Sequence, residues 1–232
     1  MRQPEGISSP QPLNGIERLS QWIYDTVHPY IEGRVLEIGA RSGTISGYFV
    51  NDNTRIRISD PRSKYYQLLQ EKFKDNSCIK GIHKIDPKVT GFETVYSSFL
   101  GKFHTVLLLN TIEVDADDPE LLLNIKNLVI EGGYLIMNMP VRIAFFNNSE
   151  EVLDYWKHNA RKILRKLLGV EFELIEAQFF NVSEIPADDI EDTPSFQISR
   201  DNIYTQFGLS VIMFAKRKPP LSEVKHTLHG SE

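Results

Sequence analysis

The sequence contains almost no cysteine: Cys78 is the only one among 232 residues. A single thiol cannot form an internal disulfide or supply the set of ligands that a Cys-based metal site needs, so neither is expected. Long apolar runs are also missing. The longest, over residues 105–109 and 209–215, are far shorter than the roughly 20 residues that span a bilayer. Residues 1–20 contain no apolar segment typical of a signal peptide. We therefore predict a cytoplasmic protein with no metal site and no membrane partner.

An excess of basic residues is missing too. The chain has 26 lysines and arginines against 31 acidic residues, a net charge of −5. Proteins that bind nucleic acid usually carry a broad basic surface, so no nucleic-acid partner is expected. The length fits one domain, and no internal repeat or change of composition marks a second. We predict a flexible lead-in over residues 1–13, one domain over 14–217, and a flexible tail over 218–232.

One stretch, residues 33–43, organises the chain. Val35–Ile38 is short, apolar and rich in β-forming residues, and two glycines, Gly39 and Gly43, follow it before a helix-like run from Thr44. Proteins of the α/β class bind nucleotides where a buried strand turns through glycines into a helix. The glycines allow close approach of the backbone, and the helix N-terminus offers free N–H groups. Two glycines alone are weak evidence, so this interpretation depends on the rest of the chain.

Strands and helices are predicted to alternate, which indicates a parallel sheet with helices on both faces. The last two strands are separated by an acidic, irregular segment without a clear helix, so we predict that they pair antiparallel. Glu131-Gly132-Gly133 is predicted to end a helix that begins at Pro119. The predicted strands are 34–38, 55–59, 79–85, 103–109, 134–139, 172–180 and 208–216, and the main helices are 14–28, 44–51, 61–73, 119–130 and 151–168.

Five motifs follow one another in a recognisable order. They are Val-Leu-Glu-Ile-Gly-Ala-Arg-Ser-Gly at 35–43, Asp60 at the end of the second strand, Asp86 after the third, Phe-His-Thr-Val-Leu-Leu-Leu-Asn-Thr-Ile-Glu-Val at 103–114, and Glu-Gly-Gly-Tyr-Leu-Ile-Met-Asn-Met-Pro at 131–140. Together they resemble the class I S-adenosylmethionine (SAM)-dependent methyltransferases. The resemblance covers roughly residues 16–217. Each motif is degenerate, and the specificity comes from their order and spacing.

The resemblance implies a Rossmann-like, three-layer α/β fold with a seven-stranded, mostly parallel sheet and an antiparallel last strand. It also implies that SAM is the cofactor and that a methyl group passes to oxygen or nitrogen of an acceptor. The acidic balance of the chain favours a small-molecule acceptor. Aromatic residues in segments that frame the pocket in this fold, such as Tyr24 and Tyr30, suit a planar or apolar molecule, although core packing explains them equally well.

The same resemblance implies cofactor-binding roles for several residues. Glu37 is expected near the amino acid end of SAM, with the turn residues Gly39, Ala40, Arg41 and Gly43 beside it. Asp60, an acceptor-only side chain, suits a bidentate grip on the two ribose hydroxyls. Structural alternatives exist: Glu37 can cap a neighbouring helix, and Asp60 can be a helix N-cap. Asp86 is expected to contact the adenine amino group, although it can also be a helix N-cap. Asn110 is expected to face the methyl-transfer zone, although it can also be a turn residue.

Two departures from the family pattern stand out. Arg41 replaces the middle glycine of the first motif. It can point outward, bind an anionic group such as the SAM carboxylate, or alter or abolish SAM binding. The fourth-strand block continues as Glu113-Val114 where relatives often have Glu-His, so a general base at that position is missing.

His158 is the candidate catalytic base. It lies in Trp-Lys-His-Asn-Ala-Arg-Lys at 156–162, which opens an amphipathic helix and resembles a segment that covers the substrate pocket in some of these enzymes. The alternative is a solvated basic helix face. His28, His83 and His104 are expected to be structural.

Two other functions compete with methyl transfer. One is a methyltransferase-like fold that does not methylate and serves as a binding protein or uses its pocket for different chemistry. The other is a nicotinamide-dependent oxidoreductase, for which Asp60 would also suit the ribose. The complete Gly-x-Gly-x-x-Gly is absent, and the antiparallel end of the sheet fits that class poorly.

Overall fold

A computed structural model describes residues 15–109, 119–141, 169, 171–181 and 209–219. Strands and helices alternate over most of this part of the chain, as predicted. The helices are α1 (Gly15–Val27), α2 (Thr44–Asn51), α3 (Ser63–Lys72), α4 (Phe92–Val95) and α5 (Pro119–Lys126), with short 3₁₀ helices at His28–Tyr30 and Ser97–Phe99. The strands are β1 (Val35–Ile38), β2 (Ile56–Ser59), β3 (Ile79–His83), β4 (Phe103–Leu108), β5 (Val129–Val141), β6 (Phe172–Asn181) and β7 (Leu209–Arg217). None of the helices within these ranges is long and apolar enough to cross a membrane.

The seven described strands form one sheet in the order β3-β2-β1-β4-β5-β7-β6. Strands β1 to β5 run parallel to one another, whereas β7 runs antiparallel to both β5 and β6. The predicted antiparallel pairing of the last two strands is confirmed. The insertion of β7 between β5 and β6 was not predicted, because sequence order says nothing about which edge a returning strand joins.

Two hydrophobic clusters make the fold a three-layer sandwich, because alternate residues of a strand face opposite sides. Leu36 of β1 packs with residues of α4 and α5 on one face. Val35, its neighbour, packs with residues of α1, α2 and α3 on the other. In α1, Leu19, Ile23 and Val27 recur at helical spacing and are buried, as expected for the helix predicted over 14–28. Pro29 follows at once, in a 3₁₀ helix.

The predicted helix stop at Glu131-Gly132-Gly133 is wrong. Helix α5 ends at Lys126, and β5 begins at Val129, ahead of the two glycines. The glycines instead accommodate an irregularity in β5: the pairing with β4 passes from Phe103↔Val129 to Thr105↔Tyr134. A Cβ on Gly133 would lie 2.7 Å from the backbone oxygen of His104, so this strand can approach β4 there only without a side chain.

The helix predicted over 61–73 is observed as α3 at Ser63–Lys72. Leu69 and Phe73 are buried, whereas Leu68 is 40% exposed and points away from the core. The predicted helix over 151–168 lies outside the described residues, as does Asn14, the first residue of the helix predicted over 14–28.

Candidate functional site

The candidate site lies where the strand order reverses, between β1 and β4. The chain leaves β1 toward β2 on one side, and β4 continues the sheet on the other. Open α/β sheets bind ligands outside the carboxyl ends of the strands at such a point. Asn138 of β5 is buried there and donates a hydrogen bond from Nδ2 to the backbone oxygen of Leu109, 3.2 Å away. This contact fixes the end of β4 immediately before Asn110, which lies outside the described residues.

The glycine turn after β1 has a left-handed backbone at three positions. The φ angles are 74° at Gly39, 50° at Arg41 and 67° at Gly43. The backbone N–H groups of Gly39 and Ala40 both donate to the carbonyl of Ser59, at 2.8 and 2.9 Å, and so tie the turn to the end of β2. The Gly43 N–H donates to the Ala40 carbonyl at 2.8 Å. These N–H groups are therefore engaged within the protein, and the turn offers a ligand mainly close backbone approach.

Packing explains why residue 43 is a glycine. A Cβ at this position would lie 2.5 Å from Cε2 of Phe73 and 2.8 Å from Cδ2 of Leu69, both from the α3 region. The absence of a side chain lets the turn press against these buried residues. The predicted cofactor contact of Gly43 remains a prediction, and its structural role is independent of any ligand.

Glu37 is fully buried at the carboxyl end of β1, on the face of the sheet that α2 covers. The hydroxyl of Ser46, in the first turn of α2, donates to its Oε2 at 2.5 Å. Burial raises the pKa of Glu37 to about 7; the Ser46 hydrogen bond opposes this rise, Asp60 adds to it, and Lys72 opposes it. A carboxyl group near its midpoint at neutral pH can take or release a proton when a charged ligand binds.

Asp60 is fully buried at the end of β2, and donors from its own chain surround its carboxylate. The backbone N–H of Arg41 donates to Oδ2 at 3.1 Å. Arg62 supplies three more donors: its backbone N–H at 3.0 Å and Nε at 2.9 Å to Oδ1, and Nη2 at 2.8 Å to Oδ2. A carboxylate has about four lone-pair sites, so these contacts occupy its acceptor capacity. The alternative role as a helix N-cap is not observed, because α3 begins at Ser63 with Arg62 as its N-cap residue.

Arg41 adopts the conformation that the glycine it replaces would favour. Its φ of 50° is unfavourable for a residue with a Cβ. Its Nε atom is buried, and no acceptor within the described residues hydrogen-bonds to it. A buried donor without a partner is unfavourable, so this atom is a natural point for an acceptor from a ligand.

Lys72, at the end of α3, returns to the same turn. Its Nζ donates to the backbone oxygens of Ser42 and Gly43, at 2.9 and 3.1 Å. Desolvation lowers the pKa of Lys72, and Glu37 partly offsets the decrease. The turn is therefore bordered by three cationic side chains, Arg41, Arg62 and Lys72, and by two buried carboxyl groups, Glu37 and Asp60.

Asp86 follows β3 and has an exposed side chain. Its Oδ1 accepts the backbone N–H of Lys88 at 3.0 Å, and its own N–H donates to the hydroxyl of Tyr96 at 3.0 Å. It thus shapes a turn, and no helix begins there, since α4 starts at Phe92. Its adenine contact remains a prediction. His158, the predicted base, lies outside the described residues.

Two of the three histidines that were predicted to be structural, His104 and His28, contact polar groups of the protein. Nδ1 of His104 accepts the backbone N–H of Arg34 at 3.0 Å. His28 Nε2 lies 2.9 Å from Asp52. Of the aromatic residues, Tyr30 contacts Phe214 and Tyr134, near the amino end of β1 and so away from the glycine turn.

Sequence reasoning missed Ser46, Arg62 and Lys72. A signal existed for Arg62: Pro61 holds the backbone so that a side chain two residues after Asp60 can fold back onto it. Ser46 lies in the first turn of a predicted helix, where a hydroxyl facing the preceding strand can be anticipated. Nothing in the local sequence connects Lys72 to a turn about 30 residues earlier.

No family model matches the chain, and no curated protein matches it in sequence. Solved structures do resemble it. A SAM-dependent methyltransferase from Methanosarcina mazei superposes with a TM-score of 0.57 at 11% identity, covering 84% of this chain and 98% of that one. Magnesium protoporphyrin IX methyltransferase from Synechocystis, solved with bound SAM, gives 0.55 at 16% identity, covering 88% and 80%.

The chain has the Rossmann-like fold of the class I methyltransferases. A third similar structure, the [4+2]-cyclase SpnF, gives a TM-score of 0.57 at 15% identity and covers 88% of this chain and 81% of that one. The same fold therefore also occurs in a protein named for a cyclisation. At these identities the similarity concerns the fold, and function has to be argued from the site itself.

Proposed function

We propose that this protein is a SAM-dependent methyltransferase that transfers a methyl group to oxygen or nitrogen of a small-molecule acceptor. The observation that carries the proposal is a pair of fully buried carboxyl groups, Glu37 and Asp60, at the carboxyl ends of adjacent strands. They flank a left-handed glycine turn at the switch point of a methyltransferase-like sheet. Sheets of this kind bind ligands outside the carboxyl ends of their strands at the switch point, so two buried carboxyl groups at this place support a ligand-binding role.

The residues present fit such a cofactor. Bound SAM would supply an electrophilic methyl group on a sulfonium cation. Glu37, with its pKa of about 7, would balance positive charge near the amino acid end. Asp60 would accept the two ribose hydroxyls once the Arg62 side chain leaves it. Nε of Arg41, which has no partner in the part of the chain that the structure describes, is suited to a carboxylate.

Methyl transfer from a sulfonium is an in-line displacement that depends chiefly on alignment and proximity. We propose Asp86 as the adenine contact, Asn110 as a residue of the methyl-transfer zone, and His158 as the base that accepts the proton of a hydroxyl or amine acceptor. The acidic balance of the chain supports a small molecule as the acceptor.

A second candidate is a methyltransferase-like protein that does not methylate. Two observations favour this candidate. Arg62 fills the acceptor positions of Asp60 at the proposed ribose end of the cofactor site, and Arg41 replaces a glycine at the proposed amino acid end. The fold similarity to a cyclase is consistent with it. In that case the pocket would still bind a ligand but would hold no transferable methyl group.

Titration calorimetry with SAM, its demethylated product S-adenosylhomocysteine (SAH) and NAD separates these functions. We expect SAM and SAH to bind and NAD not to bind. Asp60→Ala should weaken both adenosyl ligands by tenfold or more, whereas Asp25→Ala, which removes an exposed carboxylate from α1, should leave them unchanged. Failure of both SAM and SAH to bind would rule out the proposal. Tight binding without any methylated product across a broad acceptor panel would support the second candidate.

A further inference from the structure

A cavity of about 400 Å³ lies away from the glycine turn. It is formed at the amino ends of β1 and β4, against β2, β3 and the 3₁₀ helix that ends at Phe99. It shares no residue with the site described above. Its lining includes four cationic side chains, a histidine and an aromatic ring: Arg34, Arg57, Lys80, Lys102, His83 and Phe99.

The sheet brings the four cations together. Ile56 and Ile58 face the cluster that contains α2 and α3, so Arg57 between them points to the opposite face. Its partner on β3 is Gly81, where a Cβ would lie 2.5 Å from Nε2 of His83, so the missing side chain makes room for the His83 ring. The register shifts at this point, from Ile56↔Ile79 to Arg57↔Gly81, which makes Lys80 an extra residue. A bulge of this kind redirects side chains, and Lys80 consequently reaches the same cavity.

The positive charge of this cavity is not neutralised within the described residues. No carboxylate there forms an ion pair with any of the four cations. Arg34 Nε donates to the backbone oxygen of Lys102 at 2.6 Å, and Lys80 Nζ donates to that of Ser77 at 2.7 Å. Carbonyl contacts orient these groups and leave their charges uncompensated. In a chain with a net charge of −5, such a concentration of cations around one cavity needs an explanation.

His83 adds an unused polar atom. Its Nε2 is buried without a hydrogen-bond partner in the described part of the chain. Burial and the nearby charge of Arg57 lower the pKa of His83, so the ring is neutral at physiological pH. The ring packs edge-on against Phe99, with centroids 5.0 Å apart. The cavity thus combines guanidinium and ammonium donors with an aromatic wall.

We propose that this cavity binds a phosphorylated small molecule carrying at least two negative charges. Guanidinium groups match the geometry of phosphate oxygens, and lysines add compact positive charges around them. The volume is in the range of small-ligand pockets, and Phe99 provides a surface for the uncharged part of the ligand. The cavity is too small to hold more than a limited segment of a polymer, which favours a small molecule over a nucleic acid. The proposal does not depend on methyl transfer.

Pyrophosphate is the probe for this site, used with the full-length chain in titration calorimetry at low ionic strength. We expect Arg57→Gln to weaken pyrophosphate binding by roughly tenfold or more, because a charge-assisted fork is lost. Arg55→Gln is the matched control: it removes the same charge two residues earlier, at an exposed position outside the cavity, and should change the affinity less than about twofold.

A second variant guards against misfolding of Arg57→Gln. Lys102→Gln alters an exposed residue at the rim and should also weaken pyrophosphate, while SAH affinity stays unchanged in every variant. Equal weakening of pyrophosphate binding by Arg57→Gln and Arg55→Gln would overturn the proposal, because it would indicate a general electrostatic attraction to the surface and no specific site. So would the absence of pyrophosphate binding at millimolar concentration. Binding of a short single-stranded oligonucleotide without binding of pyrophosphate would likewise overturn it in favour of nucleic acid.

Discussion

The guanidinium of Arg62 chelates the carboxylate of Asp60, with Nε 2.9 Å from Oδ1 and Nη2 2.8 Å from Oδ2. Asp60 is completely buried, whereas the side chain of Arg62 is 47% exposed and lies over the ring of Tyr65 at 4.4 Å. The buried partner is held in place by the fold, and the exposed one can leave. Removal of the guanidinium would free one acceptor position on each oxygen, which is what two ribose hydroxyls require.

Replacing Arg62 should therefore strengthen binding of an adenosyl ligand. We expect Arg62→Gln to bind SAH roughly three- to tenfold more tightly than the unchanged protein, since no ion pair has to be broken first. The expected gain in SAH affinity is modest because solvent screens an ion pair in which one side chain is half-exposed. Titration calorimetry measures the two affinities. Lys64→Gln, which removes a neighbouring charge that lies 5.9 Å from the Tyr65 ring, should have little effect.

A double-mutant cycle tests whether the effect passes through Asp60. In an Asp60→Asn background the ion pair is already lost, so Arg62→Gln should no longer increase affinity. The difference between unchanged protein and Arg62→Gln should also shrink in 1 M salt, where the screening length is about 3 Å. An unchanged or weaker affinity of Arg62→Gln at low salt would show that Arg62 does not compete with the ligand.

The buried carboxyl of Glu37 should make stability depend on pH. Its pKa is raised from 4.5 to about 7 in the folded protein, so the folded state binds the proton more tightly than the unfolded state. The protonated Glu37 therefore stabilises the folded protein fully below about pH 4.5, and this stabilisation is lost as pH rises through 7. We expect the free energy of unfolding to decrease by roughly 3 kcal/mol between pH 4.5 and a pH above 7 for this reason.

Urea denaturation at a series of pH values measures this dependence. Glu37→Gln keeps an acceptor for the Ser46 hydroxyl and should remove most of the decline, whereas Glu32→Gln, at an exposed position, should retain it. If the two variants show the same pH profile, Glu37 is not the group that titrates.

Binding of a sulfonium should shift the proton on Glu37. We expect SAM to favour the ionised carboxylate, so that its binding releases protons at pH 6 to 7, while SAH, which lacks the sulfonium charge, releases fewer. Calorimetry in buffers of different ionisation enthalpy gives the number of protons released. Glu37→Gln should abolish the difference between the two ligands; persistence of that difference would assign it to another group.

Arg41 combines backbone strain with an Nε donor that has no partner among the described residues, and two substitutions separate these effects. Arg41→Gly removes both, whereas Arg41→Ala keeps a Cβ at a φ of 50° and removes only the side-chain donor and charge. We expect the glycine variant to be more stable than the alanine variant by about 1 kcal/mol in urea denaturation. Equal stability would show that the left-handed backbone carries little strain.

The charge of Arg41 should affect the choice between ligands. Both Arg41 variants should bind SAM more strongly relative to SAH, because a cation near the sulfonium is removed. Asn53→Gly relieves a left-handed residue at a φ of 66°, away from the turn, and should leave the ratio of affinities unchanged. An unchanged ratio would show that Arg41 does not act on the sulfonium charge, and equal weakening of both ligands would indicate that Arg41 binds the carboxylate that SAM and SAH share.

Gly43→Ala should destabilise the protein through a steric clash. The new methyl would lie 2.5 Å from Phe73 and 2.8 Å from Leu69 in a left-handed conformation. We expect a loss of about 2–4 kcal/mol in the free energy of unfolding. Gly91→Ala has a similar φ of 74° with no atom within 4 Å, so it should lose only about 1 kcal/mol. Equal losses would show that packing against α3 does not restrict Gly43.

His158 is tested by turnover once an acceptor is known. If it is the general base, His158→Ala should lower kcat by about 100-fold while SAM affinity stays unchanged. Lys157→Ala, which alters the neighbouring residue, should retain most of the activity. An unaffected kcat in the histidine variant would exclude this role.

Several features of the fold and site were predictable from local patterns. Apolar β-forming runs, helical spacing and glycine punctuation identified the described strands and most of the helices, because burial imposes these periodicities on each element separately. The same reasoning located Glu37 and Asp60 at strand ends, and both are fully buried there. It failed at Gly132 and Gly133, since a glycine pair that ends a helix and one that accommodates a strand irregularity have the same local sequence.

The sequence by itself determined the alternation of strands and helices, the glycine turn, and the carboxyl groups that follow β1 and β2. Only the tertiary structure decided how those groups are occupied. It showed that Arg62 fills the acceptors of Asp60, that Lys72 contacts the turn from the end of α3, and that Arg34, Arg57, Lys80 and Lys102 surround one cavity. The physical reason is that periodicity and turn chemistry act over a few residues, whereas hydrogen bonds and charge act through space between segments that only the folded sheet brings together.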